Sequence, residues 1–298
     1  MPDTGTSMAT MKADVEKNKQ LTLPTFLGIG VPKAGTTWLY ELLATHPEVF
    51  LPTTIKDIRF FNHFYDLGID WYQEFFPSAS EAVKFSAIGE ITVHYLYCTE
   101  CPLRIKSDLE RPKLLLMLRN PVDRIWSHYR HRARLSNYQG SFDDFLVDHP
   151  EGIRFSLYSS HINRYLEYFN RDQLLILLFD QIFADIDLTR SRIADFLEID
   201  PRAFPPDAGL SIVNKGFIPR YRTIYSIINR GARIARDRRL FWPIHAAKKI
   251  GVKRAISTPG ERGEKMSAES RQKMLEFFDE EITELEKVLQ MNLDHWRV

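Results

Sequence analysis

Cysteine is scarce in this sequence. Only Cys98 and Cys101 occur in 298 residues, and a C-x-x-C pair makes a zinc or redox site only with a second ligand pair or a thioredoxin-like setting. Neither accompanies it, so the pair reads as two reduced or incidental thiols, a usage that fits a reducing compartment. Charge of one sign is also lacking. Lys and Arg number 40 against 39 Asp and Glu, a formal net charge of +1. That balance leaves no general pull toward nucleic acid or an anionic membrane and confines any anion preference to local clusters. No apolar run approaches membrane-spanning length, and the polar stretch from Met1 to Gln20 has no apolar core of a secretory signal. The expectation is a cytoplasmic protein with no transmembrane segment and no nucleic-acid partner. Internal repeats and low-complexity linkers are absent as well.

What is present is ordinary globular material, 44% hydrophobic and 27% charged, with enough apolar side chain for a substantial core. Residues 1–20 read as a flexible tail, frayed or helical, and residues 21–298 as a single large domain. Phe26-Leu27-Gly28-Ile29-Gly30 has the pattern of a buried strand. Thr36 to Leu43 reads as a helix with Leu39, Leu42 and Leu43 on one face, ended near His46-Pro47 because proline disfavours helix in the residue before it. Lys113 to Arg119 is apolar on both faces, as an inner parallel strand is, and Asn120-Pro121 turns it into a helix over Val122 to Leu135. Leu174 to Phe179 is a third strand, followed by a helix through Thr189 to Leu197, and Phe155 to Phe169 is helical. This alternation predicts an α/β fold, a central parallel sheet with helices on both faces. A last helix spans Ser267 to Gln290, with Met274, Phe277, Phe278, Ile282, Leu285 and Leu289 as its buried stripe and Ser267 in its N-cap region.

Two segments carry the chemistry. Gly30-Val31-Pro32-Lys33-Ala34-Gly35-Thr36-Thr37 lies between a strand and a helix. A glycine-containing loop there aims backbone N–H groups at one point, and the helix start adds partial positive charge. Lys33 adds a full charge and Thr36 and Thr37 add hydroxyls, so the loop suits a phosphate or a sulfate. It is not a Walker A loop, in which lysine follows the second glycine; here lysine precedes the glycine. Arg119-Asn120-Pro121-Val122-Asp123-Arg124-Ile125-Trp126-Ser127 again follows a strand and opens a helix. Arg119 stands at the carboxyl end of its strand, where open α/β sheets bind ligands. Ser127 is about two helical turns further on, and an arginine fork with a hydroxyl suits a phosphate monoester. Arg124 reads either as a further part of this site or as a surface arginine in a salt bridge.

Strand–P-K-x-G-T-T-W–helix resembles the 5′-phosphosulfate loop of the PAPS-dependent sulfotransferases (PAPS is 3′-phosphoadenosine 5′-phosphosulfate, and PAP its desulfated product). The second segment resembles that family's R-x-P-x-x-R-x-x-S. The resemblance implies a sulfotransferase fold with a P-loop-like phosphosulfate loop over Pro32, Lys33, Ala34, Gly35, Thr36 and Thr37, and a 3′-phosphate held by Arg119 and Ser127. Trp38 reads either as core or as a neighbour of the adenine. Two phosphate sites on strand ends are what separate PAPS from ATP. The likeness runs from about Phe26 to the end and is greatest to the heparan sulfate and carbohydrate sulfotransferase branch. Lys56-Asp57-Ile58-Arg59-Phe60-Phe61 is similar to its K-E-x-x-F-F, Gly68 to Pro77 to its G-x-x-W-Y-x-x-F-F-P, and Gly89-Glu90-Ile91-Thr92 with Tyr95 to its G-E-K-[ST]-x-x-Y. Gly260-Glu261-Arg262-Gly263 resembles the basic loop that closes over the donor, and Lys215 lies in a second segment suited to cover donor or acceptor. The sequence departs from that branch in three places, with Asp57 for the branch's glutamate, Ile91 for its lysine, and a final loop that has Arg262 and Lys265 but not the usual glycine-lysine pattern.

The resemblance implies in-line transfer of a sulfuryl group from PAPS to a hydroxyl or amine. Lys33 would meet charge on the leaving phosphate, and Asp57 would take the acceptor's proton. Glu90 is the rival base and His94 a candidate assistant. No metal is required, because lysine and backbone N–H groups carry the electrostatics. The acceptor is a small molecule or a glycan. The basic stretch from Arg230 to Arg254 reads as a solvated face, as a dock for an anionic acceptor, or as a patch meeting a lipid-linked acceptor in peripheral membrane contact. The competing readings are an ATP-dependent P-loop kinase and a catalytically weak nucleotide- or glycan-binding module. The oligomeric state is not legible.

Overall fold

The computed structural model describes residues 21–53, 55–135, 138–210, 217–219, 231, 257–259 and 265–298. The tail 1–20, Lys215, Arg262 and all of the basic 230–254 stretch but Gly231 lie outside the described residues. The chain divides into two compact units. One comprises Met1–Pro32, Leu39–Met117 and Tyr165–Ser211, the other Lys33–Trp38, Leu118–Arg164 and Ile212–Val298.

Hydrophobic runs bounded by turns become the strands of a five-stranded parallel sheet flanked by helices: β1 (Phe26–Gly30), β2 (Val49–Phe50), β3 (Ala87–Ile91), β4 (Lys113–Leu118) and β5 (Leu174–Leu178), in the order β2-β3-β1-β4-β5. The α/β class, the parallel sheet and three of its strands are as the sequence predicts. β1 is buried along its whole length, and Leu114, Leu115, Leu116 and Met117 of β4 are fully buried. Such strands read as continuous apolar runs because helices cover both faces of a parallel sheet. β2 and β3 are additions that the hydrophobic pattern did not reveal. β3 contains Gly89 and Glu90, both residue types depleted in strands, and pairing supplies what propensity lacks. Phe26 stands opposite Gly89 and Gly28 opposite Ile91. A Cβ on Gly89 would lie 2.5 Å from the Phe26 ring, and one on Gly28 would lie 2.7 Å from Ile91.

The helices that matter for the site are α1 (Thr36–Ala44), α2 (Cys101–Asp108), α3 (Pro121–Leu135), α4 (Tyr158–Leu166), α5 (Ile186–Leu197) and α6 (Ala268–Leu289). Ser267 caps α6 by accepting from the Ser270 N–H at 3.0 Å, as its sequence predicts. The apolar stripe of α6 is buried except for Phe277, which is 55% exposed, so the stripe is narrower than the sequence suggests. Cys98 and Cys101 are free thiols, Cys101 buried at the start of α2. Among the described residues no helix is long and apolar enough to cross a membrane.

Overpacking a filled core position typically costs about 1–3 kcal/mol. Gly89→Ala should therefore lower the unfolding free energy by that order, read as a fall in the urea midpoint at unchanged m-value, and adding Phe26→Leu should recover part of the loss. A Gly89→Ala protein as stable as the parent would contradict the tight approach of β1 to β3.

Candidate functional site

The loop that leaves β1 is bent by two residues in the left-handed region, Lys33 at φ 74° and Gly35 at φ 95°. Glycine adopts that conformation freely. For lysine it is uncommon, and strained backbone of this kind concentrates at binding loops. The Val31 N–H donates to the Met117 carbonyl of β4 at 2.9 Å, which fixes the loop's root. Ala34 and Thr36 are buried, Pro32, Lys33, Gly35 and Thr37 are half-buried, and Trp38 is 3% exposed.

In the same unit as Lys33, Arg119 extends one guanidinium nitrogen to the Lys33 backbone carbonyl at 3.4 Å, so the two sequence-predicted segments are brought together. The Tyr158 hydroxyl donates to the Arg119 carbonyl at 2.9 Å. Asn120 caps α3 through its side-chain oxygen, which accepts from the Val122 N–H at 2.9 Å, while its amide donates to the Trp296 carbonyl at 2.7 Å. Ser127 sits half-buried on α3. Arg124 is not the surface salt-bridge arginine that helical spacing allowed. It is fully buried, donates from Nε to the Ser156 hydroxyl at 2.6 Å and from Nη2 to the Gly152 carbonyl. It braces the fold beneath α3, because a buried guanidinium must find acceptors.

One turn beyond Arg124 lies His128, which the sequence reading did not single out. Burial, with Arg124, Arg132, Lys33 and His131 around it, pushes its imidazole down to about 3. Like charges disfavour a further proton. Burial is the larger cause of the depression, and the positive charge of these neighbours adds to it.

Asp57, Glu90 and His94 belong to the other unit. Asp57 is half-buried and accepts from the Val93 N–H at 3.2 Å. Glu90 is 1% exposed and accepts three hydroxyl bonds, from Tyr95 at 2.6 Å, Thr92 at 2.7 Å and Tyr72 at 3.2 Å. Burial raises its carboxyl to about 7 while these donors pull it down and the Asp57 charge pushes it further up. Lys56 lies over the Tyr40 ring, 5.8 Å from its centroid, and burial lowers its ammonium against the opposing pull of Asp57 and Glu41. His94 is half-buried with its ring 6.3 Å from that of Tyr97. The motif G-E-x-T-x-x-Y contained Thr92 and Tyr95, but only the coordinates show them bonded to Glu90.

The sheet is parallel and α/β, with a left-handed lysine loop after one strand and an arginine from the neighbouring strand's end bonded to that loop. Residues 23–213 match the sulfotransferase domain family, and the chain belongs to that family. Bifunctional heparan sulfate N-deacetylase/N-sulfotransferase 3 of Homo sapiens is 32% identical over 226 residues, covering 65% of this chain and 24% of the relative. Bifunctional heparan sulfate N-deacetylase/N-sulfotransferase 4 of Mus musculus is 30% identical over the same length and shares. The chain thus spans about a quarter of the length of these curated relatives. The crystal structure of a sulfotransferase from Alicyclobacillus acidocaldarius matches with a TM-score of 0.66 at 22% identity, covering 93% of this chain and 100% of that chain, a likeness of fold.

His128 yields a pH prediction. Its folded pKa lies below the ordinary 6.5, so the native state binds fewer protons than the unfolded chain. The stability this contributes is present above 6.5 and is lost as pH falls toward about 3. His128→Asn should flatten the acid limb of a plot of urea midpoint against pH; an unchanged limb would show that His128 is not held neutral.

Proposed function

We propose that this chain transfers a sulfuryl group from PAPS to a hydroxyl or amine of an acceptor, with a carbohydrate as the acceptor class. The observation that carries the reading is the meeting of Lys33 and Arg119. The turns at two separate strand ends meet where the Arg119 guanidinium donates to the backbone carbonyl of Lys33 at 3.4 Å, and a doubly phosphorylated nucleotide has two anionic ends to be held. The donor set fits. Lys33 and the N–H groups opening α1 suit the 5′-phosphosulfate, and Arg119 with Ser127 suits the 3′-phosphate. When bound, the donor supplies an activated sulfuryl group on a phosphate leaving group.

The rest is done by the chain. Lys33 stabilises charge that builds on the leaving phosphate, an electrostatic contribution that needs no reorganisation at the moment of transfer. Asp57 accepts the acceptor's proton. Its half-exposed carboxylate is held at one oxygen by the Val93 N–H, and among the described residues the other oxygen is left to accept that proton. Glu90, buried and occupied at both oxygens, is a poor choice for that task. The carbohydrate class rests on the names of the relatives, which act on heparan sulfate.

Calorimetry with PAP, ATP and AMP tests the donor. Binding of PAP in strong preference to both is the expected result, and preference for ATP would replace this reading with a kinase. Asp57→Asn should lower kcat by about 10²–10⁴-fold, the usual worth of a positioned base, with PAP affinity near that of the parent. Retained turnover would remove Asp57 from the role. Lys33→Ala should lose both turnover and donor affinity, and unchanged rates would contradict its part in leaving-group stabilisation.

A further inference from the structure

Each oxygen of Glu90 carries the same arrangement. Oε2 accepts the Thr92 hydroxyl at 2.7 Å, and that hydroxyl accepts the Arg59 N–H at 3.2 Å. Oε1 accepts the Tyr95 hydroxyl at 2.6 Å, and that hydroxyl accepts the Phe61 N–H at 3.4 Å. In its ionised form the carboxylate only accepts, and it then turns both hydroxyl protons toward itself. The lone pairs then face the two backbone donors. The segment they grip begins two residues after Asp57. It opens with Arg59 in the left-handed region at φ 64° and leads into the wide π-type turn Phe60–Phe64. Phe60 and Phe61 add packing, Phe60 stacked on Tyr72 at 4.3 Å and Phe61 edge-on to Tyr95 at 5.5 Å. Ring packing is adaptable in register, whereas N–H to hydroxyl bonds are directional. Thr92 is also the neighbour of Val93, whose N–H holds Asp57.

We propose that Glu90 is a positioning residue: through Thr92 and Tyr95 it fixes the segment from Arg59 to Phe61 and thereby sets where Asp57 presents its carboxylate. The inference rests on Asp57 being the base. It assigns to Glu90 a place behind that base instead of the rival role that sequence alone left open. Tyr72 marks the difference between bonding to Glu90 and belonging to the clamp. Its hydroxyl reaches the same carboxylate at 3.2 Å but makes no bond to the 59–61 backbone among those described.

The test reads kcat at saturating PAPS and acceptor beside PAP affinity, with urea midpoints confirming that each variant is folded. Thr92→Val keeps the shape and removes one arm, and Tyr95→Phe removes the other. Each should lower kcat by about tenfold with PAP affinity unchanged, because only the geometry of the transition state is disturbed. Thr92→Ser keeps the hydroxyl and should restore turnover. Tyr72→Phe should leave kcat within about twofold of the parent. Glu90→Gln should match the Thr92→Val/Tyr95→Phe double variant, and combining all three substitutions should add nothing, since both arms share one anchor. Full kcat in Thr92→Val and Tyr95→Phe, or additive losses with Glu90→Gln, would overturn the proposal. If Glu90→Gln fails to fold, the two arm variants and the Thr92→Ser rescue still decide. Loss of activity in Asp57→Asn beside intact arm variants sinks this inference alone, whereas an active Asp57→Asn sinks the assignment of the base.

Discussion

A carboxylate shut away from water has to be stabilised by whatever polar groups surround it. Isolated burial of an ionised carboxyl is costly, and hydrogen bonds to the charged form are one of the few remedies. At Glu90 the remedy is three hydroxyls, from Tyr72, Thr92 and Tyr95. Their positions are then no longer free. The residues that follow β3, the turn Phe60–Phe64 and the aromatic cluster that includes Tyr72 all take their place around this one side chain. The Tyr165 hydroxyl of the same unit in turn donates to the Tyr95 carbonyl at 3.0 Å.

The other unit solves the opposite electrostatic problem. There burial, with the added charges of Arg124, Arg132, Lys33 and His131, keeps the imidazole of His128 from taking up a proton. Arg124 is anchored through Ser156 and Gly152, so its charge is fixed to the scaffold instead of moving on a flexible stem. A preorganised cationic field of this kind acts on developing charge without rearranging. The chain belongs to the sulfotransferase domain family.

Much of this was readable from the residues. The lysine loop and the Arg119 segment announced themselves because each sits between an apolar run and an amphipathic helix, a context that single letters lack. β1, β4 and β5 were legible for the same reason. β3 was not, because Gly89 and Glu90 break the apolar run, and only the neighbouring strand explains why a glycine is needed there. The depth of Arg124 was hidden because arginine is rarely fully buried, and its acceptors lie 28 and 32 residues away in sequence. Phe277 follows helical spacing yet faces outward. Periodicity gives the direction of a stripe, but packing decides its width. The bonds from Glu90 through Thr92 and Tyr95 to the 59–61 backbone join segments some thirty residues apart, beyond the reach of any local pattern.

The central pair of strands has a consequence for how such a sequence can drift. Across β1 and β3 a large side chain meets a bare backbone twice, and in opposite senses, Phe26 over Gly89 and Ile91 over Gly28. Volume is conserved within each pair and not at either position alone. Divergence should therefore proceed by reciprocal exchange, with bulk leaving one strand as it enters the other, so that in a family history these four sites appear as two coupled characters.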